Sequence, residues 1–304
     1  VSPADLSTRV ATLLLPSAVM TAAGTSGYGD ELAGYGDLSQ LGAVVVKSLA
    51  AFAWGGNDPP RVVASGEHML NSVGLAGPGV RAWREQYLPA LRERGARVVG
   101  SIWGRNVAEF ADAARAMRGA EIVALEVNAS CPNLDDRSRI FAHSAEATAE
   151  IVAASLEAGL PLWVKLSPNT PDLVSVAAAA LGAGAQALVL VNTVLGLAID
   201  IEARRPALGN GAGGVSGPGI LPVALRSVYD CRAAFPSVAI VGVGGISSGE
   251  DAVAMLMAGA NALEVGTATF ANPRAPWIVQ EGLGEWMQRH HVRSIDEMVG
   301  AAHG

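Results

Sequence analysis

Two cysteines, Cys131 and Cys231, are all that 304 residues contain. That rules out a disulfide framework, fits a reducing cytoplasm, and leaves too few thiolates for an all-cysteine iron–sulfur cluster. Charge is scarce as well. Only 16% of residues are charged and the mean hydropathy is +0.33, so a membrane span has to be weighed. The most apolar run, 174–191, is interrupted by Gly182, Gly184 and Gln186. It reads as a helix, a turn and a strand rather than one bilayer helix. The first residues lack the basic, apolar and small-residue layout of a signal peptide. A net charge of −7 and a pI near 5.3 deny the chain the basic face that nucleic acid requires. No Gly-x-Gly-x-x-Gly follows an early strand, so no NAD(H) site declares itself. His290, His291 and His303 lack metal-ligand spacing, and no metal is expected. No repeat or low-complexity linker divides the chain, so 1–304 reads as a single domain.

What is present is a repeating unit of apolar strand, loop and amphipathic helix. Eight strands are expected at 17–23, 43–48, 98–103, 122–128, 162–167, 187–193, 238–244 and 262–267. Each is a short, nearly continuous run of β-branched and small residues, as for strands covered on both faces of a parallel sheet. Helices are expected at 107–118, 144–158, 172–181 and 249–258, with Asp172 and Ser247 or Ser248 as helix starts. Eight such units predict an α/β fold of the (β/α)8 TIM-barrel type, with an open doubly wound sheet as the main alternative. Two connections, 49–89 and 194–222, are longer than a barrel needs. The second holds six glycines between positions 208 and 219. Both follow strand C-termini, the active-site face of a barrel, and both read as long loops without secondary structure, which are usually functional.

The residues that close the strands are polar or glycine: Ala23-Gly24-Thr25, Lys47-Ser48, Ser101, Asn128, Lys165, Asn192-Thr193, Gly244-Gly245 and Gly266-Thr267. Two lysines and two asparagines converging on one barrel mouth describe a polar pocket. Glycines after the seventh and eighth strands expose backbone N–H groups, which suits a phosphate. A mononucleotide such as FMN fits this layout, and so does a sugar phosphate. The fourth strand leads into Val127-Asn128-Ala129-Ser130-Cys131-Pro132-Asn133, where Pro132 turns the chain into a loop. A thiol held between amides at a strand exit can act as nucleophile or proton acceptor. Cys231, inside a helical stretch, reads as a core thiol.

These residues resemble the catalytic subunit of the class 1 dihydroorotate dehydrogenases, most closely the class 1B, NAD-linked branch. The matching segments run in order from Val19 to Glu281. They include Val46-Lys47-Ser48-Leu49, Met69-Leu70-Asn71-Ser72-Val73-Gly74-Leu75, the Cys131 segment, Val164-Lys165-Leu166-Ser167-Pro168-Asn169, Val191-Asn192-Thr193, Gly213-Gly214-Val215-Ser216-Gly217-Pro218, Gly244-Gly245-Ile246 and Gly266-Thr267. The resemblance implies a barrel that binds FMN and oxidises dihydroorotate to orotate in pyrimidine synthesis. It implies Cys131 as the base. Lys47, Asn71, Ser72, Val73, Gly74, Leu75, Asn128, Asn133, Asn192 and Thr193 would hold the substrate. Ala23, Gly24, Lys47, Ser48, Ser101, Asn128, Lys165, Val191, Gly217, Gly244, Gly245, Gly266 and Thr267 would bind the cofactor. It further implies a partner subunit carrying FAD and an iron–sulfur cluster, in a homodimer or heterotetramer, without nucleic acid or membrane.

The chain departs from that pattern at named places. Ala23 stands where the family usually has Ser, Ser101 where it often has Asn, and Trp103 where a small residue is usual. A charged stretch, Leu134-Asp135-Asp136-Arg137-Ser138-Arg139, replaces a Gly-Gly loop. The segment 49–57 lacks the usual charged, proline-containing stretch. These changes bear on the substrate and its covering loop more than on the cofactor. Two alternatives therefore stand beside dihydroorotate oxidation: a flavin-dependent dehydrogenase or reductase of another dihydropyrimidine-like substrate, and a catalytically silent barrel that binds a phosphorylated ligand.

Overall fold

Each expected strand forms, and hydrogen bonding arranges the set into one cylinder. The computed structural model describes residues 4–130 and 140–304; Cys131, Asn133 and the charged stretch 134–139 lie outside the described residues. The barrel strands are β1 (Val19–Thr21), β2 (Val44–Val45), β3 (Val98–Ile102), β4 (Ala124–Asn128), β5 (Leu162–Leu166), β6 (Ala187–Leu190), β7 (Ala239–Val243) and β8 (Ala262–Val265). They pair in parallel in the order β1-β8-β7-β6-β5-β4-β3-β2. The seam between β1 and β2 is closed by Gly42 N–H to Val19 O at 2.8 Å, Thr21 N–H to Ala43 O at 3.2 Å, and Val45 N–H to Thr21 Oγ1 at 3.0 Å. That closure excludes the open doubly wound sheet.

Period-2 alternation divides the core into two concentric layers. Inward positions such as Met20, Val99, Ala124, Trp163, Val189 and Val241 form one apolar cluster. Val10 and Leu15 join it from a hairpin (Thr8–Val10 and Leu13–Leu15) at the barrel base. Outward positions such as Leu125, Val164, Leu188 and Leu263 pack with the helices, where Trp83, Phe110 and Phe141 are the bulkiest buried side chains.

The helices follow the expected spacing: α1 (Val80–Gln86), α2 (Leu88–Glu93), α3 (Val107–Met117), α4 (Ala145–Ser155), α5 (Leu173–Gly182), α6 (Leu221–Ala234), α7 (Gly249–Ala258), α8 (Ala268–Ala271) and α9 (Ala275–Arg289). Asp172 caps α5 by accepting from Ser175 N–H, and Ser248 caps α7 within a full capping box. The apolar run 174–191 is divided between α5 and β6, as its glycines predict. Among the described residues, no helix is long and apolar enough to cross a membrane.

The two long connections are not structureless. In the first, Val62–Ser65 pairs with His68–Asn71, which pairs in turn with Gly213–Ser216 of the second, itself paired with Val194–Gly196. Together they form a four-stranded antiparallel sheet over the C-terminal mouth, with Asn71 opposite Gly214. Each strand has only three or four residues. Such runs show no readable period. The pairing arises because backbone donors and acceptors projecting over a pocket must find partners, here from a segment far along the chain.

Candidate functional site

The inward series of three strands ends in charge. On β4 it runs from Ala124 to Glu126 and Asn128, on β5 from Trp163 to Lys165, and on β8 from Ala262 to Glu264. Lys165 is 5% exposed, and both glutamates are fully buried. Lys165 Nζ lies 2.9 Å from Glu264 Oε2 and 3.8 Å from Glu126 Oε2. Burial alone would pull the Lys165 ammonium down, but Glu126 and Glu264 outweigh it and raise its pKa. Burial pushes the Glu264 carboxyl up to about 8; Lys165 opposes that rise and Glu126 adds to it. These glutamates are absent from the sequence-based site. A signal for them existed: they are the only acidic residues in the eight barrel strands, and Lys47 and Lys165 are the only lysines in the chain.

From this layer a hydrogen-bond chain climbs to the mouth. Ser101 Oγ donates to Glu126 Oε1 at 2.8 Å and lies 2.9 Å from Ser48 Oγ. Asn128 Nδ2 donates to Ser48 Oγ at 3.2 Å, and Asn192 Nδ2 to Asn128 Oδ1 at 3.4 Å. The two asparagines and two serines are thus oriented by one another before any ligand arrives.

Above them lies a cavity of about 530 Å³. It is lined by Lys47, Asn71, Ser72, Val73, Gly74, Leu75, Asn128, Asn192 and Thr193 from the expected substrate set, and by Ala23, Gly24, Ser48, Lys165, Val191, Gly244, Gly245, Gly266 and Thr267 from the expected cofactor set. Among the described residues, two expected ones do not line it. Ser101 is buried beneath Ser48 and reaches the cavity only through it. Gly217, with φ +105°, is also absent from the lining, although its neighbour Ser216 is part of it.

The sheet over the mouth supplies one wall. Asn71 Nδ2 donates to Gly214 O at 3.3 Å, which ties the first long connection to the second, and within the first Asn57 Nδ2 donates to Ser72 Oγ at 2.9 Å. Asn169 Nδ2 donates to Thr193 O at 2.9 Å and Asn169 Oδ1 accepts from Leu195 N–H. An aromatic cluster forms another wall. Trp103 meets Phe52 and Trp54 edge-on at 6.0 and 6.3 Å between ring centroids, and the Arg105 guanidinium covers Phe52 at 4.7 Å. Asn57, Trp54, Arg105, Asn169 and Phe270 also line the cavity without having been expected as site residues.

The far end is built of backbone. Gly244 and Gly245 carry φ values of +130° and +79°. A Cβ at Gly244 would stand 2.9 Å from Ala224 Cβ, and one at Gly245 would stand 2.6 Å from the Leu221 backbone N at the start of α6. Side chains are excluded there, so the wall at this end is backbone, which suits it to cradle an anion. An apolar floor (Ala22, Ala23, Val191, Val243), a buried cation on one side and an anion cradle at one end suit a flat, phosphorylated ring system. Among the described residues, no group of three His, Cys, Asp or Glu side chains is placed to hold a metal ion.

A family model described as dihydroorotate dehydrogenase matches residues 5–287. A protein of Alkaliphilus oremlandii named dihydroorotate dehydrogenase B (NAD(+)), catalytic subunit, is 43% identical over 297 residues, which are 97% of this chain and 98% of that protein. Proteins of the same name from Alkaliphilus metalliredigens and Geotalea uraniireducens are 43% and 41% identical, each match covering 98% of both chains. The match takes in the basal hairpin, all eight strands, the sheet over the mouth and all but the last two residues of α9. With the whole cavity inside the matched residues, this chain belongs to the dihydroorotate dehydrogenase family.

Proposed function

We propose that this protein oxidises dihydroorotate to orotate with FMN, as a step of pyrimidine biosynthesis. The observation that carries this reading is the buried Lys165, fixed by Glu264 at 2.9 Å, between an amide-lined pocket and a glycine cradle. Lys165, Ala23, Gly24, Ser48 and Val191 would line the ring, and Gly244, Gly245, Gly266 and Thr267 would hold the phosphate through backbone N–H groups. Bound FMN would supply the acceptor for the hydride that leaves substrate C6. Cys131 takes the proton from C5, so that one proton and one hydride leave together and a C=C bond remains. Lys47 provides the positive charge that a carboxylate substrate requires. Asn71, Asn128, Asn192 and Thr193, with the 72–75 segment and Asn133, fix the substrate ring by donating and accepting at its amide edges.

The relatives' name includes both NAD(+) and a catalytic subunit. We take this chain likewise as the catalytic member of an assembly, a single FMN-binding domain over 1–304. A partner subunit with FAD and an iron–sulfur cluster would pass electrons to NAD, in a homodimer or heterotetramer. Two cysteines and a net charge of −7 support a cytoplasmic protein that does not act on nucleic acid. The aromatic wall of Phe52, Trp54 and Trp103 favours one second reading, oxidation of another dihydropyrimidine.

Purified protein should absorb as an oxidised flavoprotein, and anaerobic dihydroorotate should bleach it. Protein that neither carries nor takes up FMN would sink the reading. Bleaching by another dihydropyrimidine but not by dihydroorotate would establish the second one. The phosphate end has its own test. Gly245→Ala puts a Cβ where φ is +79° and the Leu221 backbone N is 2.6 Å away. FMN affinity should fall about tenfold or more, roughly 1.4 kcal/mol, in a fluorescence titration of the flavin-depleted protein. Unchanged affinity would move the phosphate elsewhere.

A further inference from the structure

The eight barrel strands contain three charged side chains, Glu126, Lys165 and Glu264. All point inward, and all are buried. Two carboxylates against one ammonium leave an uncompensated negative charge in a setting where charge is costly. Each carboxyl group also has an oxygen without a hydrogen-bond partner, Oε2 of Glu126 and Oε1 of Glu264. Among the described residues, the other elements around Glu264 do not supply the missing charge. Its neighbours β1 and β7 contain no titratable side chain, and neither do β2, β3 and β6. The basal hairpin brings only Arg9, which is exposed. α7 and α9 cover the outer face of the barrel, onto which Leu263 and Val265 point, and Glu264 points the other way. Lys47 lines the cavity from the end of β2, with Nζ placed 3.5 Å from where a Cβ on Gly24 would sit.

We propose that Glu264 is a positioning residue that holds one proton, shared with Glu126, so that Lys165 faces the cavity in a neutral cluster. The proton removes the excess charge and turns one orphaned acceptor into a donor. This rests on the reading that a flavin occupies the cavity. Negative charge arriving beside Lys165 on reduction then binds the Glu264 proton more tightly, and by linkage loss of that proton disfavours reduction.

The test is the two-electron midpoint potential of the holoenzyme as a function of pH, with electrons supplied electrochemically and protons by the buffer. Burial pushes Glu264 up to about 8 in the oxidised protein. Above that pH, reduction should take up one extra proton until the reduced state also loses it. The wild-type slope should then steepen by about 30 mV per pH unit. Glu264→Gln keeps the shape and cannot ionise, so its slope should show no such step, and above pH 8 its potential should lie above wild type. Parallel slopes in the two proteins overturn the proposal, as does a wild-type profile without the step, even where the variant does not fold. A second readout does not depend on flavin. Infrared difference spectra between mildly acidic and alkaline pH should show a buried neutral carboxyl C=O band, lost in Glu264→Gln. Protein that binds no FMN defeats the flavin reading alone, and the presence or absence of that band then decides the proton.

Discussion

Lys165→Ala should cost about 3–5 kcal/mol of folding stability and most of the bound flavin. The substitution removes the only cation in the barrel strands and leaves Glu126 and Glu264 buried together. The loss should depend on pH with a definite sign. Glu264 is raised from 4.5 to about 8 in the folded protein, so the folded state binds more protons than the unfolded one over that interval. Stability from this group therefore falls as pH rises from about 4.5 to about 8. Removing the ammonium, which opposes the rise, pushes the carboxyl higher still and extends the fall to higher pH. Lys165 is itself raised above 10.5; its contribution is full below that value and is lost only as pH climbs through the folded one. The variant should thus lose more relative to wild type at pH 9 than at pH 6, measured by guanidinium unfolding at both. A variant as stable as its parent at pH 9, and still yellow, would refute the assigned roles of the triad.

Cys131→Ser should slow flavin reduction by dihydroorotate about 10²–10⁴-fold near neutral pH, with FMN and orotate still bound. A serine hydroxyl keeps its proton far above the range where a thiol releases one, so it is the poorer base. What remains of the rate should rise with pH. The described residues on either side of that segment border the pocket: Asn128 Oδ1 accepts from Ser130 N–H at 3.1 Å, Ala129 O accepts from Ala142 N–H at 2.9 Å, and Ser130 and Ile140 line the cavity. The second cysteine offers no substitute. Cys231 is fully buried on α6, and burial pushes its thiol up to about 12. Anaerobic stopped-flow absorbance measures the effect, and unchanged kinetics would remove Cys131 from the chemistry.

Much of this site was legible before folding. A strand end is a local event, where an apolar run gives way to Lys47, Asn128, Lys165 or Asn192, and a parallel barrel brings such ends to one mouth. Glycines after β7 and β8 could be read the same way, because a backbone that must approach an anion tolerates no side chain. The inward position of Ser101 was readable, but its depth below Ser48 was not, because depth depends on how neighbouring strands are staggered. The sheet over the mouth was missed because its strands are too short for any period and their partners lie in another loop.

The sequence by itself determined the eight strands, helix starts at Asp172 and at Ser247 or Ser248, the family, and the residue types around the pocket. Those follow from periodicity and from side-chain chemistry, which are properties of neighbours along the chain. Only the tertiary structure decided that Glu126 and Glu264 meet Lys165. Glu264 lies 99 residues beyond Lys165, and their contact exists because the seam between β1 and β2 closes the sheet. Closure puts inward side chains of non-adjacent strands across one interior. Low dielectric there turns three ordinary charges into a coupled group that must be compensated or protonated.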